Sequence, residues 1–223
     1  MDRGYTEKMK ILKYRILFII LASTLNSCSG QDHDIQRKYA EAKLKFEKQF
    51  VDHFPSKLPP VSLVTTSEDI IISHPGIWVR GEFDKSTLDS IEVALSKKAR
   101  ARYDARDTCL LLIDKHLNNK NWTNFEKSSN VSPEPLKDYL PCASGKLPIP
   151  KFWSDQWSET KETEINIDPN YKIYILEAKS GTFWKHSKLP NGKFTPKGWT
   201  HGYSKGVAIN RMSSTIIFWF DIW

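Results

Sequence analysis

Residues 215–222 constrain the fold more than any other segment of the chain. Their sequence, TIIFWFDI, is rich in β-branched and aromatic residues and predicts a strand that is apolar on both faces. Such a strand must be covered on both sides, so we expect it to be central in a sheet or covered by other elements. Residues 203–209 are predicted to pair with it in a closing hairpin across residues 210–214.

The other predicted elements place this hairpin in an α+β domain. Helices are predicted at residues 35–54 and 87–100, and further strands at residues 69–73, 77–83, 108–113 and 171–178. The expected architecture is a mostly antiparallel β-sheet with an N-terminal amphipathic helix and a second helix packed on one face.

An apolar stripe predicts the first of these helices. Its members recur at steps of three and four residues and are Ile35, Tyr39, Ala42, Phe46, Phe50 and Phe54. The stripe could adsorb to a membrane surface or pack against the core. We favour core packing, because most of the basic residues fall elsewhere on the helix and are typical of a solvated face.

Residues 114–170 show no clear periodicity. Loops of this length inside a compact domain are either functional or disordered. The aromatic residues of the segment argue against simple disorder. We therefore interpret it as a long loop that packs on the domain as a lid or flap, with Cys142 as a possible point of attachment.

The N-terminal residues have the layout of a secretory signal peptide. Lys10, Lys13 and Arg15 precede an unbroken apolar run at residues 16–22, ILFIILA. The run is too short for a membrane-spanning helix, which takes about 20 apolar residues. We expect Met9 to be the true start, because the eight residues before it add two acidic side chains to an otherwise basic opening.

The signal peptide ends in Leu25-Asn26-Ser27-Cys28, which resembles the bacterial lipobox. The resemblance implies that the chain is cut before Cys28 and that a diacylglyceryl group is joined to its thiol. The alternative is ordinary signal cleavage with a chance cysteine, although Leu25 is a poor residue for the small-x-small rule. Two or three acyl chains would make a lasting membrane anchor.

This resemblance sets the expected organisation of the chain. Residues 1–27 are the signal peptide, residues 28–34 a lipidated tether and residues 35–223 a single domain. Ser29 follows the cysteine where Asp would favour the inner membrane in enteric bacteria, so we expect the outer membrane. Residues 31–34, QDHD, resemble the acidic tag of surface lipoproteins in Bacteroidota.

The net charge argues against a nucleic-acid partner. The whole chain carries +7, but residues 1–27 hold five of its 33 basic and two of its 26 acidic residues, so the rest carries +4. So small a surplus is not the clustered basic face that nucleic-acid binding needs.

A metal ion could be bound by His186, His201 and Glu177. No short histidine pair supports such a site, and we predict no metal or cofactor.

Two cysteines remain beside Cys28. Outside the cytoplasm Cys109 and Cys142 can form a disulfide. The alternative is two unpaired thiols, with Cys109 buried in the apolar run at residues 109–113.

Residues 198–206, GWTHGYSKG, are the most distinctive candidate site. Three glycines spaced four apart allow close backbone approach to a ligand, and His201, Tyr203 and Lys205 could act as base, acid or anion clamp. The alternative, which we favour, is a turn that enters the strand at Tyr203.

Tryptophans in irregular segments form a second candidate. Trp153, Trp157 and Trp199 could stack on sugar rings, although clustered aromatics are more often core residues. A hydrolytic version of this site would add carboxylates such as Asp168 or Glu177, about 5–9 Å apart across a groove.

No nucleophile elbow and no activated cysteine is recognisable in the sequence. We therefore expect a non-enzymatic envelope lipoprotein that binds a protein or glycan, as an adaptor, inhibitor or immunity protein. The alternative is a carbohydrate- or peptidoglycan-binding or -hydrolysing protein. Residues 107–111 and 198–223 are similar to uncharacterised lipoproteins of gut Bacteroidota, a similarity that implies a compartment and no activity.

Overall fold

The computed structural model describes residues 27–67, 75–113, 141–152, 163–185, 189 and 198–223. The chain divides between Glu41 and Ala42 into two units, and the β-sheet belongs to the second. The described helices are α1 (Ser27–Leu44), α2 (Lys48–Val51) and α3 (Lys85–Lys98), with a 3₁₀ turn at Pro141–Ala143. The described strands are β1 (Ser62–Ser67), β2 (Gly76–Glu82), β3 (Ala101–Asp104), β4 (Leu112–Ile113), β5 (Ile149–Pro150), β6 (Tyr171–Ser180), β7 (Gly202–Asn210) and β8 (Thr215–Ile222).

Six strands form one antiparallel sheet in the order β1-β2-β8-β7-β6-β3. Strands β4 and β5 pair in parallel as a separate two-stranded ladder. The α+β class and the mostly antiparallel sheet are therefore confirmed. Strand β8, expected to be central or covered, lies between β2 and β7, and all eight of its residues are buried.

Helices cover one face of this sheet, which we call the helix face. The ring of Phe50 in α2 stacks on that of Phe220 in β8, with centroids 4.7 Å apart. Farther along the same face, the Tyr174 hydroxyl of β6 donates a hydrogen bond of 2.7 Å to Glu92 of α3. The prediction that helices pack on one face is thus confirmed within residues 42–223.

The opposite face, which we call the loop face, is covered mainly by irregular segments. Trp219, Ile173 and Ala208 of the sheet share one buried cluster with Ile149, Phe152, Ile165 and Ile167. Residues 141–152 and 163–170 of the predicted long loop therefore supply part of the core. Its residues 114–140 and 153–162 lie outside the described part of the chain.

A disulfide fastens this packed segment to the turn after β3. Cys109 and Cys142 are joined, with their Cα atoms 5.7 Å apart. In the same region Lys146 Nζ lies 2.6 Å from Asp107 Oδ2, and the Leu147 amide donates to the Tyr103 hydroxyl. The disulfide and these bonds hold residues 141–152 against the sheet.

The single helix predicted at residues 35–54 is wrong in its bounds. It is divided into α1 and α2, because Glu47 between them adopts an extended backbone with ψ of 137°. This break lets both Phe46 and Phe50 contact the ring of Phe220, at 5.3 and 4.7 Å. Residues 28–34, expected to be a tether, are helical and lie in α1, which begins at Ser27. No described helix is long and apolar enough to cross a membrane.

One further strand prediction differs from the structure, one is untested, and two strands were not predicted. The strand expected at residues 69–73 lies outside the described residues, and β1 and β3 were not predicted. The strand expected at residues 108–113 is reduced to β4. Its first half is a turn instead, because Asp107 Oδ1 accepts a hydrogen bond of 2.8 Å from the Cys109 amide.

Candidate functional site

The glycine-rich stretch at residues 198–206 leads into β7 and divides between the two faces of the sheet. Gly198 has a φ of +88°, which suits the turn before the strand. Tyr203 lies on the helix face, where its ring meets that of Phe50, whereas Gly206 lies on the loop face opposite Trp219. Tyr203 and Lys205 therefore share the helix face, whereas Gly206 lies on the opposite face.

Lys205 is buried on the helix face and has internal partners. Its Nζ donates to the carbonyl oxygen of Gln49 and to Oδ1 of Asp52, the latter at 3.0 Å. Glu177 Oε2 lies 3.8 Å away, and only 10 % of the lysine side chain is exposed. A buried ammonium needs such partners, and here they fasten the end of α2 to the sheet.

Glu177 links Lys205 to Tyr203 and Lys179. Burial raises the pKa of Glu177, but hydrogen bonds from Lys179 and Tyr203 outweigh it and hold this pKa below its ordinary value. Burial and the charge of Glu177 raise the pKa of Tyr203. At neutral pH these groups are an ionised carboxylate and a neutral phenol. An acid–base pair would instead have pKa values near 7.

His53 lies beside these groups and was missed by sequence reasoning. Its Nε2 lies 3.0 Å from the carbonyl oxygen of Trp219, and its Nδ1 lies 3.9 Å from Asp52 Oδ1. Burial lowers the pKa of His53 to about 3, and the charge of Lys205 acts in the same direction. The imidazole is therefore neutral at pH 7. Its burial could have been predicted from the sequence, because it lies between Phe50 and Phe54 of the apolar stripe.

Trp199 and His201 precede β7 and are half-buried. The Trp199 carbonyl accepts a hydrogen bond of 2.8 Å from the indole N–H of Trp223, and the two indoles are 6.1 Å apart. The His201 carbonyl accepts a bond of 2.9 Å from the Gly181 amide. Trp199 is thus a partly exposed aromatic ring on a fixed backbone, whereas Trp153 and Trp157 lie outside the described residues.

A buried carboxylate on the loop face was also missed. Asp221 is fully buried in β8, with Ser204 and Gly76 opposite it on the neighbouring strands. A Cβ atom at position 76 would lie 2.7 Å from Asp221 Oδ1, so the glycine provides the room for the carboxylate. It could have been predicted from the sequence, because Asp221 is the single acidic residue in TIIFWFDI, a segment expected to be buried.

Asp168 and Glu177 lie near opposite ends of β6. Asp168 Oδ1 accepts hydrogen bonds from the Asn170 amide at 2.7 Å and from Asn210 Nδ2 at 3.1 Å, just before the strand begins. From Tyr171 to Glu177 the strand spans about 20 Å. The two carboxylates are therefore too far apart to form the pair that glycoside hydrolysis requires.

The described part of the chain contains no cluster of three or more His, Cys, Asp or Glu side chains that could hold a metal ion. His201 and Glu177 of the candidate metal set lie within it, and His186 lies outside it.

A groove of about 230 Å³ opens at the start of β1. It is lined by Val61, Ser62, Leu63, Arg80, Gly81, Glu82 and Thr215. Val61 at its rim is 59 % exposed, which is high for an apolar side chain beside a sheet. Sequence reasoning missed this surface because it placed no strand at residues 62–67, although they follow two prolines and are rich in β-branched residues.

No protein-family model matches the chain, and no curated protein or solved structure is significantly similar to it.

Proposed function

We propose that the chain is a lipid-anchored lipoprotein of a bacterial envelope whose domain binds a protein or glycan without catalysing a reaction. One observation carries the proposal: the basic and apolar segment that ends in Leu25-Asn26-Ser27-Cys28. The lipid on Cys28 would hold the domain at a membrane, and Ser29 favours the outer membrane, with the domain on its periplasmic or surface side.

The geometry around the candidate residues supports binding rather than acid–base catalysis. Glu177 contacts both Lys205 and Tyr203, and Lys205 is bonded to the end of α2. Trp199, by contrast, is half-buried and held by its backbone contact to Trp223. A fixed, partly exposed tryptophan is typical of residues that contribute strongly to binding.

The same tryptophan supports the alternative of a carbohydrate- or peptidoglycan-binding protein. Trp184 is also half-buried, and its ring lies 6.2 Å from Phe46. Aromatic faces of this kind stack on sugar rings as readily as they pack against proteins. The pull-down described below distinguishes a protein partner from a glycan partner.

The anchor is tested by labelling the protein in cells with an alkyne fatty acid and measuring the intact mass of the mature chain. The native chain is expected to carry the label, begin at Cys28 and sediment with membranes. Cys28→Ser should lose the label, whereas Ser27→Ala, which keeps a small residue before the cysteine, should retain it. A mature chain that begins at another, unmodified residue would overturn the proposal.

The partner is tested by brief cross-linking in native envelopes and a pull-down in mild detergent. A stoichiometric protein is expected with the native chain and with Val93→Ala, an exposed position on α3. Trp199→Ala should recover less of it. A preparation without a protein partner, combined with retention on immobilised peptidoglycan that Trp199→Ala loses, would favour the glycan alternative.

A further inference from the structure

The two edges of the sheet differ in how well they are protected. Strand β3 has four residues, two of them charged, and its Arg102 guanidinium lies 5.9 Å from the centre of the Tyr174 ring. Strand β1 has six residues, SLVTTS, without a charge or a proline, and it pairs with β2 residue for residue. Proteins usually blunt their edges with charges, prolines or bulges, because an unprotected edge pairs with another strand. Only β3 carries such protection.

The register identifies the backbone groups of β1 that point away from the sheet. The Glu82 amide donates to the Val61 carbonyl at 3.1 Å, directly before the first pair of the β1–β2 ladder. Hydrogen-bonded pairs alternate in an antiparallel ladder, so Leu63 and Thr65 also bond to β2. Ser62, Val64 and Thr66 therefore direct their amides and carbonyls outward. Within the described residues, β1 has no strand partner on that side.

We propose that β1 pairs with β1 of a second copy of this chain, antiparallel and around a two-fold axis at Val64. In this register Val64 faces Val64 of the second copy, and Ser62 faces Thr66. The outward groups then form about six backbone hydrogen bonds. The two sheets join into one continuous sheet across the axis.

The composition of β1 favours β1 of a second chain as the strand that pairs with this edge. Pairing a strand with itself places like side chains together, which is destabilising where they are charged. In this register β1 brings together two valines, and serine with threonine, whose hydroxyls can bond to each other. No like charges meet within the strand.

The groove beside β1 is covered by the same pairing. Ser67 of the second copy comes opposite Val61, and its Thr65 comes opposite Leu63. The exposed apolar side chain of Val61 is thereby removed from water, together with the rim of the groove that it forms. The inference does not depend on the lipid anchor or on another partner.

Engineered cysteines in the full chain test both the contact and its register. Cα atoms of a hydrogen-bonded antiparallel pair lie about 5.5 Å apart, within the range that a disulfide spans. Val64→Cys is therefore expected to form a covalent dimer under mild oxidation in native envelopes. Thr66→Cys is the matched control, because its copy lies about 13 Å away along the strand. A second control is Val93→Cys on α3. Neither control should form a covalent dimer, although these positions are more exposed than Val64.

A second variant tests the outward hydrogen bonds. Thr66→Pro removes one outward amide but leaves the hydrogen bonds from β1 to β2 in place, whereas Thr66→Val keeps the amide. The mass of the native protein in mild detergent should be that of a dimer, lost in Thr66→Pro and kept in Thr66→Val. A monomeric native protein, or a Val64→Cys chain that cross-links no more than Thr66→Cys, would overturn the inference.

Discussion

Gly206 lies where the indole of Trp219 crosses β7. A Cβ atom at this position would lie 2.3 Å from Cζ2 of Trp219 and 2.4 Å from the carbonyl oxygen of Tyr174. Gly206→Ala should therefore lower the free energy of unfolding by about 3 kcal/mol, because neither the central indole nor the backbone can move aside. Urea denaturation measures this change. Val93→Ala on exposed α3 is the control and should remain within about 0.5 kcal/mol of the native chain. Equal stability of Gly206→Ala and the native chain would contradict the packing.

His53 makes the stability of the domain depend on pH. Its pKa falls from the ordinary 6.5 to about 3 in the folded chain, so between these values only the unfolded chain takes up the proton. Burial of the neutral imidazole therefore costs no stability above pH 6.5. As the pH falls from 6.5 toward 3, the free energy of unfolding decreases by about 1.4 kcal/mol per pH unit. Denaturant unfolding at pH 6.5 and pH 5.5 should reveal this slope.

His53→Gln serves as the control for this pH dependence. The glutamine amide can still donate to the Trp219 carbonyl but does not titrate. The lowered pKa of Glu177 affects stability only at more acidic pH, near and below its ordinary value of 4.5. The slope should therefore be shallower in His53→Gln. An unchanged slope would show that His53 is protonated in the folded chain.

The disulfide is the covalent tie of the loop-face segment. Cys109 and Cys142 are 33 residues apart, and closing a loop of that length stabilises a folded chain by about 4 kcal/mol in the chain-entropy model. Reduction should lower the unfolding free energy by this order, measured in denaturant with and without reductant. A double Cys109→Ala and Cys142→Ala variant should not respond to reductant. Equal stability of oxidised and reduced chains would rule out this contribution.

Strands with a strong local pattern, alternating or apolar throughout, could be predicted from the sequence, and elements that depend on distant partners could not. Strands β6 and β8 lie within two residues of their predicted bounds because their own residues carry the pattern. Strand β3 alternates but has only four residues, too few to distinguish it from a loop, and β1 is partly buried on both faces, so its pattern is weak. The break at Glu47 depends on Phe220, which lies more than 170 residues away, so no local pattern could reveal it.

Across the whole molecule, protection of backbone amides should decrease from the centre of the sheet to its edges. Strands β7 and β8 are buried along their full lengths, whereas β1 and β3 have partly exposed residues. In hydrogen exchange, amides of β7 and β8 should exchange only through global unfolding, and those of β3 through local opening. Faster exchange in β8 than in β3 would contradict the sheet order.

The candidate site was predictable only in part, because it draws on the whole fold. Tyr203 and Lys205 were predicted in one candidate stretch and Glu177 in two others, and the sheet brings the three together. Lys205 also bonds to Gln49 and Asp52 at the end of α2, about 150 residues earlier, which sequence spacing cannot place. Asp168 and Glu177 are close in sequence but stay apart because the strand between them is extended.

The central place of β8 also determines when the sheet can form. Strand β2 is synthesised long before β8, yet the two are neighbours, and β7 reaches β2 only through β8. While β8 is still inside the ribosome or a translocation channel, strands β1 and β2 cannot join strands β7, β6 and β3 in one sheet. For a chain exported as we propose, this delay keeps the earlier residues unfolded during passage, and the sheet closes only when the last strand has crossed the membrane.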